Sequence, residues 1–151
     1  MAGAFLVVID GTAESRLALR YAARRAAVLR SELVMLHVVA PAAFMQWGGV
    51  QDAIEAEALA EAEALLGALA EEVAAETGIV ARQAVRRGEV AETVAQVAAD
   101  GVRNLVLATA AKGAPGPLVA FFSGEAAARL PCLVTIVPGG LSDEDVARLS
   151  G

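Results

Sequence analysis

Short, uninterrupted apolar runs alternate along the chain with longer stretches whose apolar positions recur at helical spacing. Phe5–Ile9 has the composition of a strand buried on both faces, and it ends at the turn Asp10-Gly11-Thr12. From Ala13 to Arg30 the period lengthens: Leu17, Tyr21 and Val28 fall on one helical face, and Arg16, Arg20 and Arg24 repeat every fourth residue on another. Leu33–Val39 predicts a second buried strand, followed by a loop from Ala40 to about Gln51 that carries Phe44-Met45-Gln46-Trp47. Asp52 is the expected cap of a long helix running to about Thr77, with Gly78 as its stop signal and Ile54, Leu65, Leu66, Leu69 and Val73 facing inward. Ile79–Val85 then predicts a third strand, Glu89–Asp100 a helix packed through Val90, Val94 and Val97, and Asn104–Thr109 a fourth strand. A glycine-containing loop, Ala110–Pro117, leads to a weaker helix ending near Leu130 and a fifth strand at Leu133–Val137. Strictly alternating strands and helices imply right-handed parallel crossovers, so the fold class is α/β: an open, doubly wound parallel sheet of five strands with helices on both faces.

Composition narrows the function. At 151 residues, 57% of them hydrophobic, with a mean hydropathy of +0.57, the chain suits one domain with a full core and excludes disorder. A net charge of −6 has the wrong sign for a protein that neutralises nucleic acid phosphates. One cysteine, Cys132, and one histidine, His37, make neither a disulfide nor a zinc cluster, which reads as an intracellular, metal-free protein. No apolar run approaches a membrane span, and the start of the chain lacks the basic region of a secretory signal, so a cytoplasmic location is expected. Charge is segregated: Asp52 to Glu76 holds eight acids and no base, whereas Ala13 to Arg30 holds five arginines and one acid. On one sheet face those two helices would be complementary neighbours; otherwise the charges are solvated faces or a surface for a protein partner.

Ligands of open parallel sheets sit beyond the carboxyl ends of the strands, where the winding reverses. Two turns flank that crevice here, Asp10-Gly11-Thr12 and the loop from Ala110 to Gly116, whose exposed amides, following helix and Lys112, the only lysine, favour a phosphate. Neither the Walker A spacing nor the dinucleotide fingerprint is present. Asp10 reads as a ligand contact, as a carboxylate capping the first helix, or as both. His37 reads as a satisfied interior histidine or a ligand contact. With a single histidine and no nucleophile motif beside it, a hydrolytic triad has no base, and no catalysis is expected. Cys132 reads as a small buried hydrophobe, and Phe44-Met45-Gln46-Trp47 as a cover for the crevice or sheet edge, or as a partner contact.

Taken in order, Val8-Ile9-Asp10-Gly11-Thr12, Leu36-His37-Val38-Val39, Arg87-Gly88-Glu89, the loop after the fourth strand and Leu130-Pro131-Cys132-Leu133-Val134 resemble the universal stress protein family over about residues 4–138. The resemblance implies strand order 3-2-1-4-5, a family domain over residues 1–138 with a C-terminal extension at 139–151, and a homodimer formed through Leu133–Val137. The extension carries a further short helix over Ser142–Leu149, capped by Ser142, or folds over the edge of the last strand. In one subclass of the family the crevice binds ATP through Gly-x-x-Gly, nine residues, then Gly-Ser or Gly-Thr. Carried over, Val8, Ile9 and Asp10 would meet adenine and ribose, Val38 would pack near the base, and Thr109, Ala110, Lys112 and Gly113 would hold phosphates. This chain departs from the pattern: Ala110 replaces the first glycine, Ser123-Gly124 reverses the required pair, and Glu125 follows it. Counted back from Pro131-Cys132, the pair would fall at Ala120-Phe121, which does not restore it either. The expectation is therefore a cytoplasmic, dimeric stress-response module that binds or regulates, with a degenerate ATP site and an unknown protein partner. The alternative is an ATP-binding member that uses Asp10, Lys112 and Gly113, with Mg only if ATP binds. A nucleotide-hydrolysing relative lacks its base and its second domain.

Overall fold

A computed structural model describes residues 3–41 and 48–151. In chain order the elements are β1 (Ala4–Val8), α1 (Ala13–Leu29), β2 (Leu33–Val39), α2 (Gly48–Thr77), β3 (Arg82–Arg87), α3 (Val90–Ala98), β4 (Val102–Ala108), α4 (Pro117–Phe122), α5 (Glu125–Ala128), β5 (Leu133–Val137) and α6 (Asp143–Leu149). All strand pairs are parallel and the sheet order is β3-β2-β1-β4-β5, as the resemblance implied. The segment Phe44-Met45-Gln46-Trp47, expected to cover an edge or the crevice, lies outside the described residues.

β1 is central and wholly buried, so its alternating side chains feed two cores. Phe5, Val7 and Ile9 join Leu33, Met35 and Val106 beneath α1, α2 and α6. Leu6 and Val8 join Val34, Leu36, Leu105 and Leu107 beneath α3, α4 and α5. On α1 the seam is made of small residues, Ala18, Ala22 and Ala26, with Leu17 and Leu19 beside them; Tyr21 is half-buried, whereas Val28, expected inward, is 56% exposed because the helix runs past the sheet there.

Expected boundaries move in three places. The third strand begins at Arg82 rather than Ile79, because the ladder with β2 starts at Val34 opposite Arg82. Val80 stands outside the sheet, 90% exposed, and the apolar start Ile79-Val80 is the approach to an edge strand whose own sequence is charged. α2 begins at Gly48, leaving Asp52 inside the helix rather than capping it. A glycine costs about 1 kcal/mol in a helix interior, a penalty that the first turn of a 30-residue helix absorbs. At about 1.5 Å per residue that helix is roughly twice as long as the strands it crosses. Its N-terminal part therefore overhangs, and Ile54 is exposed while Leu66, Leu69 and Val73 are buried. The weak helix before β5 is two short ones, broken at Ser123-Gly124.

The two oppositely charged helices do share a sheet face. Arg16 pairs with Glu72 at 3.0 Å and Arg20 with Glu76 at 3.3 Å and with Asp143 of α6 at 3.4 Å. These pairs are half-exposed, worth about 0–1 kcal/mol each, so they fix the angle between helices more than they stabilise. The tail forms the expected helix with Ser142 as cap, but it does not fold over β5. Val146 and Leu141 insert beside α1, and Arg25 donates to the carbonyl of Ser150, which anchors the tail on α1.

Candidate functional site

Where the winding reverses, between the carboxyl ends of β1 and β4, the structure encloses a cavity of about 410 Å³, within the usual range for small-molecule sites. Its apolar walls come from three neighbouring strands and from the helix layer of α3 and α4: Val8, Val38, Leu107, Val90, Leu118 and Val119 all line it.

Its polar rim is built locally. After Ile9 the chain turns through Gly11 at φ +82°, a left-handed conformation that favours glycine. The turn is closed by Asp10, whose carboxylate accepts from the Thr12 amide at 3.0 Å and from its hydroxyl at 2.5 Å. Thr12, not Asp10, caps α1, its hydroxyl oxygen accepting from the Ser15 amide at 3.2 Å. Glu14 follows in the first turn. Across the cavity, Glu89 caps α3, accepting from the amides of Ala91 at 3.1 Å and Glu92 at 2.8 Å. His37 lines the same cavity and is also satisfied: its Nδ1 donates to the Ile9 carbonyl at 2.6 Å, which leaves Nε2 as the acceptor of the neutral ring.

Of the residues the sequence points to, Val8, Ile9, Asp10, Val38 and Ala110 come together at the cavity. Thr109, Lys112, Gly113, Ser123 and Gly124 do not line it. The Ala110 amide donates to the Pro115 carbonyl, closing the intervening residues into an exposed turn that carries Lys112 and Gly113 outward. Thr109 is engaged on the other side, its amide donating to Val137 and its hydroxyl accepting from the Gly139 amide at 2.9 Å. Ser123 and Gly124 form the exposed joint between α4 and α5.

The sequence reading passes over Glu14, Ser15 and Glu89. Their signal was positional: each stands at the start of a helix that follows a strand ending at the crevice.

The resulting electrostatics are one-sided. Asp10, Glu14 and Glu89 line the cavity, and no lysine or arginine does among the described residues. The positive ends of α1 and α3, which would draw an anion, already hold carboxylates. At the start of α4 the loop places Pro115 and Pro117, which have no N–H to donate. The three carboxylates are spread around the rim: no group of three or more His, Cys, Asp or Glu side chains among the described residues is placed to hold a metal ion. Cys132 lies outside the cavity and packs, partly buried, on the second core. Burial pushes its thiol above the ordinary 9.0, opposed by a hydrogen bond with the Leu105 backbone, which is the setting of a structural and not a reactive cysteine.

The fold and the crevice together define a doubly wound α/β domain with a small-molecule cavity at its switch point. The model of the universal stress protein family matches residues 1–138, and the chain belongs to that family. Among solved structures it is similar to the universal stress protein UspA from Lactobacillus plantarum, with 18% identity, a TM-score of 0.76 and coverage of 90% of this chain and 97% of that one. It is also similar to a universal stress protein from Archaeoglobus fulgidus, at 14% identity and a TM-score of 0.69 over 91% and 99% of the two chains. A universal stress protein in complex with cAMP shares 17% identity and a TM-score of 0.63 over 91% and 97%. At these identities the likeness speaks for the fold alone. No curated protein sequence matches the chain.

Proposed function

We propose that this universal stress protein is a cytoplasmic, homodimeric regulatory module that binds a small molecule in its crevice, turns nothing over, and does not hold Mg-ATP. One observation carries the reading: a cavity of the right volume is ringed by Asp10, Glu14 and Glu89, and among the described residues no lysine or arginine lines it. Two like charges about 4–6 Å apart repel by roughly 3–4 kcal/mol at interfacial dielectric, and a triphosphate would meet three carboxylates there. The loop adds to this, since Ala110 carries a methyl where the ATP-binding pattern has glycine, and Lys112 points away from the cavity lining. ATP with its Mg therefore does not fit the residues present. For the absence of turnover, the support is that His37 is committed to the Ile9 carbonyl and has no nucleophile pattern beside it. For the location, the support is the free Cys132 and the absence, among the described residues, of any helix long and apolar enough to cross a membrane.

A second reading, an adenine nucleotide at the same place, is favoured by the convergence of Val8, Ile9, Asp10, Val38 and Ala110 on one cavity, and by a structural neighbour solved with cAMP. Calorimetric titration with Mg-ATP separates the two, with Ala110→Asp, at a residue that lines the cavity, as the control for contact there. The expected result is no saturable heat in either protein; heat that saturates in the native chain and vanishes in the variant establishes the second reading.

A further inference from the structure

We propose that the crevice is a receptor for a small organic cation, a protonated amine or amidinium carried on a flat apolar body. The inference rests on the reading that the cavity is a ligand site closed to ATP, and it names what enters instead.

Three features of the cavity point to that chemistry. Its walls are aliphatic, with Val8, Val38 and Leu107 from three neighbouring strands and Val90 and Val119 from the helices packed over them, which suits a flat apolar body. Its rim has fixed acceptors. Asp10 is held by the amide and hydroxyl of Thr12, and Glu89 by two amides of α3, so both carboxylates are pre-positioned while keeping further lone pairs for a ligand N–H. Glu14 makes no ion pair or hydrogen bond among the described residues. Finally, nothing neutralises the rim from within. The chain has twelve basic residues; Arg16 and Arg20 of α1 pair with α2 and α6, and no lysine or arginine among the described residues lines the cavity. A cation entering the cavity recovers charge-assisted hydrogen bonds that no group of the protein supplies, whereas a neutral body of the same shape recovers only the apolar contact.

The test uses two ring systems of the same shape and fluorescence polarisation on the intact chain near neutral pH. Proflavine is cationic there and acridine is neutral. Proflavine is expected to bind saturably and at least about tenfold tighter than acridine. That preference is expected to shrink by about threefold or more in Glu14→Gln. It should persist in Glu61→Gln, which removes an exposed acid of α2 outside the cavity. Melting curves accompany each variant, and Asp10→Asn gives the same reading if Glu14→Gln does not fold. Equal affinities for the two dyes, a preference that survives both cavity variants, or no saturable binding overturns the inference. Displacement of proflavine by Mg-ATP overturns the ATP-excluding reading beneath it; loss of the dye preference with Mg-ATP still silent overturns the cation receptor alone.

Discussion

A methyl group on Gly139 would sit 1.9 Å from the carbonyl oxygen of Thr109 and 2.9 Å from the backbone carbon of Ala110. The same glycine donates its amide to the Thr109 hydroxyl, so one residue of the C-terminal segment is pressed against the backbone that opens the loop after β4. Backbone cannot step aside as a flexible side chain does. Gly139→Ala is therefore expected to destabilise the fold by about 2–3 kcal/mol or more, while Gly140→Ala, which meets nothing within 4 Å, stays within about 0.5 kcal/mol. Urea unfolding of the two variants side by side is the measurement, and equal midpoints would contradict the close approach. Nothing in the local sequence announces Gly139, because its constraint comes from a residue thirty positions away. Asp10 and His37 are different. Asp10 stands at the end of an apolar run and His37 inside one, where a polar residue has to be explained, and both are legible as candidate crevice residues before the fold is seen. Lys112 and Gly113 drew attention as chemistry, yet the bond from Ala110 to Pro115 folds them outward, a loop geometry that composition does not encode.

Capping is the part of element structure that sequence states most directly, because the partners lie within one turn. In α6 the Ser142 hydroxyl accepts from the Asp145 amide at 3.0 Å, and the Asp145 carboxylate accepts from the Ser142 amide at 3.2 Å, a reciprocal box that Ser142 and the following acids had signalled. The bond from the Ser142 amide, followed by the Ser142 hydroxyl and Arg148, holds the Asp145 carboxyl below its ordinary 3.8. A carboxyl with a lowered folded-state value contributes stability that is present above the ordinary value and is lost as pH falls through the folded one. The amides of α6 are thus expected to lose exchange protection in acid below about pH 4, and Asp145→Ala to remove that pH dependence while weakening the helix at neutral pH. Amide exchange followed through the acid range decides it; unchanged protection in native α6 would count against the box. Longer-range elements were less legible. The start of β3 is set by its ladder with β2, so Ile79 reads as strand only while the pairing of Val34 with Arg82 is unseen; α2 runs on past the sheet to Gly48, which leaves Asp52 inside the helix.

At the scale of the molecule, the two edges of the sheet are built for opposite fates. β3 presents Arg82, Arg86 and Arg87 as exposed side chains, the charged edge that discourages strand addition. β5 is Leu-Val-Thr-Ile-Val, hydrogen-bonded to β4 on one side only, with Leu133 71% and Ile136 38% exposed. Among the described residues no element covers it, since α6, the segment that follows, is committed to α1. An apolar strand with open N–H and C=O groups is a liability in a monomer and an interface in a dimer, so the proposed homodimer follows from the edge itself as well as from the family resemblance. Light scattering is expected to give about twice the 15.4 kDa chain mass at micromolar concentration. Leu133→Glu should convert the protein to a monomer while leaving its melting cooperative, because Leu133 contributes little to either core. Arg86→Glu, on the opposite edge, should leave the dimer intact. A native protein that is already monomeric, or a Leu133→Glu dimer as tight as the parent, would place the interface elsewhere and leave the β5 edge unexplained by self-association.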